Sequence, residues 1–338
     1  MKRILYTFFA LNIIVCSNAQ QDYHFSQFYS SPTWINPAAV GFFEGNMQFF
    51  SAYRGQWNSV TPNAFRTIVG SMEGRPFEDK FSSGFLGTSF GFFNDVAAGG
   101  NFNQNGITMS FNYAIELQDD HYLAIGLSPT FNSQRVNFNN FTWNEQWNGT
   151  GFDQSAFTGE PFYNEQHSFF DINSGLYYHG KFSDEMTLFG GVSAMHVGRP
   201  KIQFGGEEEK LYRRFNLHGG GVFGIKNTKI MLAPNFLATI QGPNSMYNVG
   251  IDFMFLLQEK SRHTGYFNKN IMSIGTYVRP GDAFYTALAF HLSSFSFGVN
   301  YDFNLSKLSN VTNGNGAMEM FLRYRTYVGG KKGYQSKF

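Results

Sequence analysis

The sequence predicts an all-β protein, a closed antiparallel transmembrane β-barrel of about fourteen strands in an outer membrane. Three observations carry that expectation. Only 14% of the 338 residues are charged, against roughly 25% in ordinary soluble domains, while 19% are aromatic, with 41 Phe and 18 Tyr. Apolar and polar residues alternate with period two over long stretches, which gives each strand one oily and one wet face. Short connections tend to alternate with longer ones, as periplasmic turns and external loops do in such barrels. The aromatic richness and the net charge of +1 exclude intrinsic disorder. Past the N-terminus the longest apolar run is about five residues, Phe253 to Leu257, far short of the ~20 that a spanning helix needs. No basic cluster is present, so nucleic acid is not expected as a partner.

Residues 1–19 read as a signal peptide: Lys2 and Arg3, then the largely apolar Ile4 to Val15, then Ser17-Asn18-Ala19 for cleavage before Gln20. Cys16 is the only cysteine, so the cleaved chain would hold no disulfide. Residues 20–44 form an N-terminal periplasmic or luminal segment without strand periodicity. Within it Pro37 removes a backbone donor and restrains Asn36 to extended or turn geometry. Residues 45–328 form the barrel and 329–338 a C-terminal tail.

The expected strands are 46–57, 63–73, 81–93, 106–117, 121–136, 167–181, 185–197, 211–225, 229–240, 245–258, 270–279, 282–292, 294–305 and 316–327. In the clearest of them Phe295, Phe297, Val299, Tyr301, Phe303 and Leu305 share one face, and Ser296, Gly298, Asn300, Asp302 and Asn304 the other. Many are longer than the five or six residues usual in soluble sandwiches and suit the nine to eleven of a tilted membrane strand. Short turns follow at 118–120, 183–184, 227–228 and 292–295, and longer loops at 94–105, 137–166, 198–210 and 306–315. The 259–269 connection is long for its side, and 241–244 and 280–281 are short for theirs.

No catalytic or nucleotide-binding pattern emerges, and no cofactor is expected. His218-Gly219-Gly220-Gly221 lacks the strand–loop–helix setting of a nucleotide fold. Eight histidines are scattered; of these His179 and His196, on adjoining expected strands, could approach each other. Glu207-Glu208-Glu209-Lys210 reads as a solvated external loop or, alternatively, a docking or cation-binding patch. The 137–166 loop carries Phe138, Phe141, Trp143, Trp147, Phe152, Phe157, Phe162 and Tyr163 without clean alternation. Such a cluster either marks a partner site or folds into the barrel mouth as a plug.

Family-specific motifs bracket nearly the whole chain. Gln21-Asp22-Tyr23-His24-Phe25-Ser26-Gln27-Phe28-Tyr29 is followed by Asn36-Pro37-Ala38 and Gly41, then by Tyr53-Arg54-Gly55-Gln56-Trp57. Near the C-terminus come Tyr301-Asp302-Phe303-Asn304-Leu305-Ser306-Lys307-Leu308 and then Gly316, Glu319, Leu322 and Tyr324. In these patterns the sequence resembles the PorP/SprF family of the Bacteroidetes type IX secretion system. It departs at Tyr23, where proline is usual, and in the extension past residue 327.

The resemblance implies a non-enzymatic outer-membrane barrel that assists type IX export. Some members of the family join the core machinery to periplasmic components. Others serve the secretion or surface attachment of one large adhesin, including gliding-motility adhesins. The expected partners are therefore outer-membrane lipid, an exported surface protein or adhesin, and periplasmic and outer-membrane components of the machinery. The other classes are a passive or substrate-specific channel and a barrel hydrolase.

Two sets of residues are candidates. His24, Phe25, Gln27, Phe28, Tyr29 and Trp34 would anchor the N-terminal segment in the lumen or dock a periplasmic partner, and Trp143, Trp147, Phe152 and Phe157 would meet an exported one. Arg54, Asp302, Asn304, Glu319 and Arg323 would face inward, since a lipid-facing Arg at the midplane costs about 2–4 kcal/mol. Arg54 and Glu319 lie on the first and last strands, and an inward Arg54–Glu319 or Arg323–Glu319 contact would act as a latch; a solvated lumen lining is the other reading.

Overall fold

The computed structural model describes residues 22–328, apart from 60–64, 82, 98, 100, 139–140, 159–164, 205–206, 259–269 and 308. The signal peptide and C-terminal tail expected from sequence lie outside the described residues, as do Phe162 and Tyr163.

The strands are β1 (Met47–Gln56), β2 (Phe65–Gly74), β3 (Phe85–Ala97), β4 (Phe102–Gln118), β5 (His121–Val136), β6 (Glu165–Ser183), β7 (Met186–Met195), β8 (Lys201–Phe204) and β9 (Glu207–Lys210). They continue with β10 (Arg214–Gly224), β11 (Ile230–Gln241), β12 (Asn244–Gln258), β13 (Asn270–Arg279), β14 (Ala283–Leu292), β15 (Phe295–Asn304) and β16 (Asn315–Thr326). All except β8 and β9 form one closed antiparallel barrel of fourteen strands, completed where β1 pairs with β16. Closure leaves no sheet edge unpaired in lipid. The period-two pattern sets the two faces: on β15, Phe295, Phe297, Val299 and Phe303 are exposed, while Ser296, Asn300 and Asp302 are buried inside.

Two connections differ from the sequence expectation. Most of the 94–105 loop is strand, because β3 runs to Ala97 and β4 starts at Phe102, in register Asn94↔Asn105. The Asn94 amide donates to Asn105 at 2.7 Å and to Asn103 at 3.2 Å, so paired amides extend the ladder past the apolar zigzag. The Glu207–Lys210 run is not an irregular loop but β9, which forms a hairpin with β8. That hairpin is tied by an exposed Lys201–Glu208 pair at 2.6 Å, and Ile202 anchors it against Phe169 and Leu211.

One end of the barrel carries the 137–164, 196–213 and 305–314 connections and is called the loop end; the other carries the 119–120, 184–185 and 293–294 turns and is called the turn end. Before β1 the chain does not stay outside the cylinder. It runs down through the lumen from the loop end to the turn end in three single-turn 3-10 helices, Phe28–Ser30, Pro32–Trp34 and Pro37–Ala39. Pro32 and Pro37 open the second and third, where a missing N–H removes no bond.

Candidate functional site

The seat of this internal segment, the plug, begins with charge. Register places Arg54 of β1 opposite Glu319 of β16, and the two side chains form an ion pair inside the lumen. Asp302 of β15 lies 3.2 Å from Arg54 and 3.0 Å from Arg279 of β13. All four groups are buried. Burying such charges is costly unless further hydrogen bonds satisfy them, and the plug supplies several of those bonds. The Glu319 carboxylate accepts from the backbone N–H of Ser26 at 2.6 Å and of Gln27 at 3.0 Å. The Ser26 hydroxyl donates to Asp302 at 2.8 Å and accepts from Arg54 at 2.8 Å and Arg279 at 3.1 Å. Tyr285 donates to the Ser26 carbonyl at 2.8 Å, and the Gln27 amide to Asn300 at 2.8 Å. The first and last strands are thus joined to each other and to residues 26–27 in one network.

A second seat lies on the opposite wall. Asn36 caps the third turn by accepting from Ala38 N–H at 2.9 Å, while its own amide donates to the Leu176 carbonyl at 2.9 Å. The same amide is 3.0 Å from His218 Nε2. Asn112 of β4 donates to the Ala38 and Val40 carbonyls at 2.6 and 2.8 Å. The wall is hollowed to admit this segment. A Cβ at Gly175 would run into the Asn36 side-chain oxygen, and one at Gly126 would come within 2.5 Å of Ala38 N. These strand glycines permit close backbone approach.

The two ends of the plug are tethered separately. At the loop end His196, just past β7, bridges Asp22 at 2.8 Å and Asp171 at 2.7 Å. Gln241 donates to Asp22 at 3.0 Å, and Arg214 stands 3.7 Å from it. Burial pushes the His196 imidazole down, but the two carboxylates outweigh it and hold the ring protonated up to about 10. Burial alone would raise the Asp22 carboxyl; the His196 charge and its hydrogen bond hold it at about 2 instead. At the turn end Arg75 donates to the Gly41 and Phe43 carbonyls at 2.7 and 2.9 Å, and to that of Gly45.

Every plug residue singled out from sequence faces the lumen or the plug's own surroundings. Gln27 and Phe28 are buried, with Phe28 among Ile35, Leu237, Tyr277 and Tyr285. Tyr29 stacks on Tyr277 with ring centroids 4.9 Å apart. Phe25 and Trp34 pack against Phe50, Val69 and Phe93, and His24 lines the space at the loop end. Arg323 turns to the plug, donating to the Ser30 carbonyl, and not to Glu319. Asn304 is half-buried and bonds Thr312 at 3.1 Å and the Asn315 carbonyl at 2.9 Å, outside the ionic network. In the long loop Trp147 and Phe152 pack together at 5.0 Å but stay half exposed, and Phe157 is 86% exposed. Trp143 caps a short turn through a bond from its N–H to the Gln146 side chain at 3.1 Å. His179 and His196 are not brought together: His179 pairs with Phe189 toward the turn end, whereas His196 lies beyond the loop end of β7. Sequence reasoning missed Ser26, Asp22, His196 and the wall glycines as seat residues. The isolated glycines in otherwise regular strands were the available signal.

The plug divides the lumen. Toward the loop end lies a vestibule of about 740 Å³ lined by Arg54, Trp57, Asp95, Gln134, Arg279 and Asp302 among others. A family model described as type IX secretion system membrane protein PorP/SprF matches residues 17–324. The chain belongs to this family. It is an outer-membrane barrel of the type IX secretion system. Comparison with curated proteins gives no match. Among solved structures, the chain is similar to the Ralstonia pickettii toluene transporter TbuX, with 9% identity over 87% of this chain and 93% of that one, at a TM-score of 0.48. A Pseudomonas aeruginosa FadL homologue gives 10% identity over 86% and 92%, at 0.48. The monoaromatic hydrocarbon channel CymD gives 8% over 90% and 94%, at 0.49.

Proposed function

We propose that this PorP/SprF barrel is a plugged, non-enzymatic holder that assists secretion or surface attachment of an exported surface protein. The single observation that carries this reading is the plug seat. A segment bonded to both closing strands through Ser26 and Gln27, and wedged into the opposite wall through Asn36, occupies the space a wide pore would need. The loop end faces outward, where the exposed Trp147, Phe152 and Phe157 meet the exported protein, a gliding adhesin being the case the family offers. The turn end, with the plug's exit past Arg75, faces the periplasmic machinery. A cleaved signal peptide delivers the chain across the inner membrane.

The test is photo-crosslinking in cells from a probe at Phe157 and from a second at Asp184, in the β6–β7 turn. Capture of a large secreted protein from Phe157 and of periplasmic machinery from Asp184 supports the proposal. Capture of the same periplasmic component from both positions overturns the assignment of the two ends.

A further inference from the structure

Two arginines near the turn end lack the counter-charge that the other inward arginines have. Arg54, Arg75, Arg214 and Arg279 are buried, and each stands 3.7 Å or less from a carboxylate. Arg323 is buried as deeply, at 7% exposure, yet forms no ion pair among the described residues. Arg325, half-buried two residues further along β16, forms none either. That spacing puts both side chains on the inner face, about 7 Å apart along the strand. Each guanidinium makes one hydrogen bond among the described residues: Arg323 Nη2 to the Ser30 carbonyl, and Arg325 Nε to the Gln48 side-chain oxygen at 2.7 Å. Arg323 Nη1 and both Nη atoms of Arg325 have no acceptor there.

Independently, both arginines line one cavity of about 160 Å³ beside the lower half of the plug. Glu73 of β2 is the one carboxylate among its described lining residues, and it turns an oxygen to Gln48 and Thr33 at 3.1 and 3.2 Å. Glu44 also acts on Arg325, but it neither lines the cavity nor reaches ion-pair distance. The cavity thus carries two guanidinium groups against one carboxylate. Arginine does not shed its proton, so the excess charge calls for an anion. Two planar forks with three unpaired nitrogens suit an anion with several oxygens better than the two of a carboxylate. At about 10–15 Å³ per water-sized group, the space holds roughly eleven to sixteen, enough for a phosphate with a short substituent and too little for a nucleotide. We infer that this cavity is a binding site for a phosphate-type oxyanion, clamped by Arg323 and Arg325 against the plug. The site needs only the closed barrel and the seated plug, so it stands or falls apart from the secretion role.

Isothermal titration calorimetry on the full-length protein in detergent micelles, with inorganic phosphate as the probe, tests this. One site per barrel should saturate. Arg325→Gln, verified as folded by heat-modifiability, should weaken binding by about tenfold or more, as expected for losing a charged hydrogen-bond donor. Glu73→Gln removes the competing negative charge and should tighten binding severalfold, a change that loosened packing would not produce. A second titration with dimethyl phosphate separates the sources of the ligand: tighter binding than phosphate points to a lipid headgroup, and weaker binding to free phosphate or a monoester. No saturable binding of either probe to the folded wild type overturns the inference, as does a folded Arg325→Gln variant that binds as tightly as the wild type.

Discussion

Replacing Gly175 by Ala adds one methyl group to the inner wall of β6, and its Cβ would overlap the Asn36 side-chain oxygen. Gly175 has no left-handed backbone requirement, so the strand itself accepts alanine. The added methyl overpacks the seat, which typically costs about 1–3 kcal/mol. If Asn36 moves away, its buried bonds to the Leu176 carbonyl and to His218 are lost, at a further ~1–3 kcal/mol. The lower bound, about 2 kcal/mol, raises the unseated population of the plug roughly 30-fold. Ser31 is buried on the plug, and a Ser31→Cys substitution reports seating through its rate of reaction with a bulky impermeant maleimide. Labelling should accelerate by about that factor when Gly175→Ala is added, with barrel heat-modifiability unchanged. An unchanged labelling rate in a folded barrel would refute the reasoning that the wall glycines exist to seat the plug.

Further outcomes follow from the same geometry. Glu319→Gln leaves the Arg54 charge with half its compensation, and at about 3–5 kcal/mol for a broken buried pair the barrel's heat-modification midpoint should drop clearly; an unchanged midpoint contradicts the latch. The Asp22–His196 tether has a pH window. The His196 contribution is complete below about 6.5 and lost as pH rises through about 10, whereas that of Asp22 is complete above 3.8 and lost as pH falls through about 2. Labelling of a cysteine placed at Tyr23 should therefore be slowest between about pH 4 and 6.5 and faster on both sides, after correction for thiol ionisation. Phe157→Ser should leave barrel stability within about 0.5 kcal/mol, as for exposed surface sites, while reducing capture of the exported partner.

The barrel was legible because membrane strands write their two faces directly into the sequence. Phe295 to Asn304 shows this best: the oily positions face out and Ser296, Asn300 and Asp302 face in. The extension of β3 and β4 past the expected bounds was hidden because Asn94, Asn103 and Asn105 pair through amides, and a polar rim above the lipid has no oily face to betray it. The hairpin at Glu207–Lys210 was hidden for a similar reason, since among the described side chains of its two strands Ile202 is the one buried in an apolar cluster. The plug site was partly readable. The motif residues Asn36, Arg54, Asp302 and Glu319 stood out, and the position of Arg54 and Glu319 on the two closing strands brought them together by register. What joined them to Ser26 was not readable, because a contact spanning 293 residues leaves no local periodicity. Asp22 and His196, 174 positions apart, escaped notice in the same way.

The chain forms a lipid-embedded cylinder closed by its own N-terminal segment. Single-channel recording in planar bilayers is the decisive measurement, comparing the intact protein with one lacking residues 22–44. A barrel plugged by residues 22–44 shows no steady porin-size conductance when intact and large, stable steps once truncated, after its fold is verified. A steady open pore in the intact protein, or none from a folded truncated barrel, would contradict it.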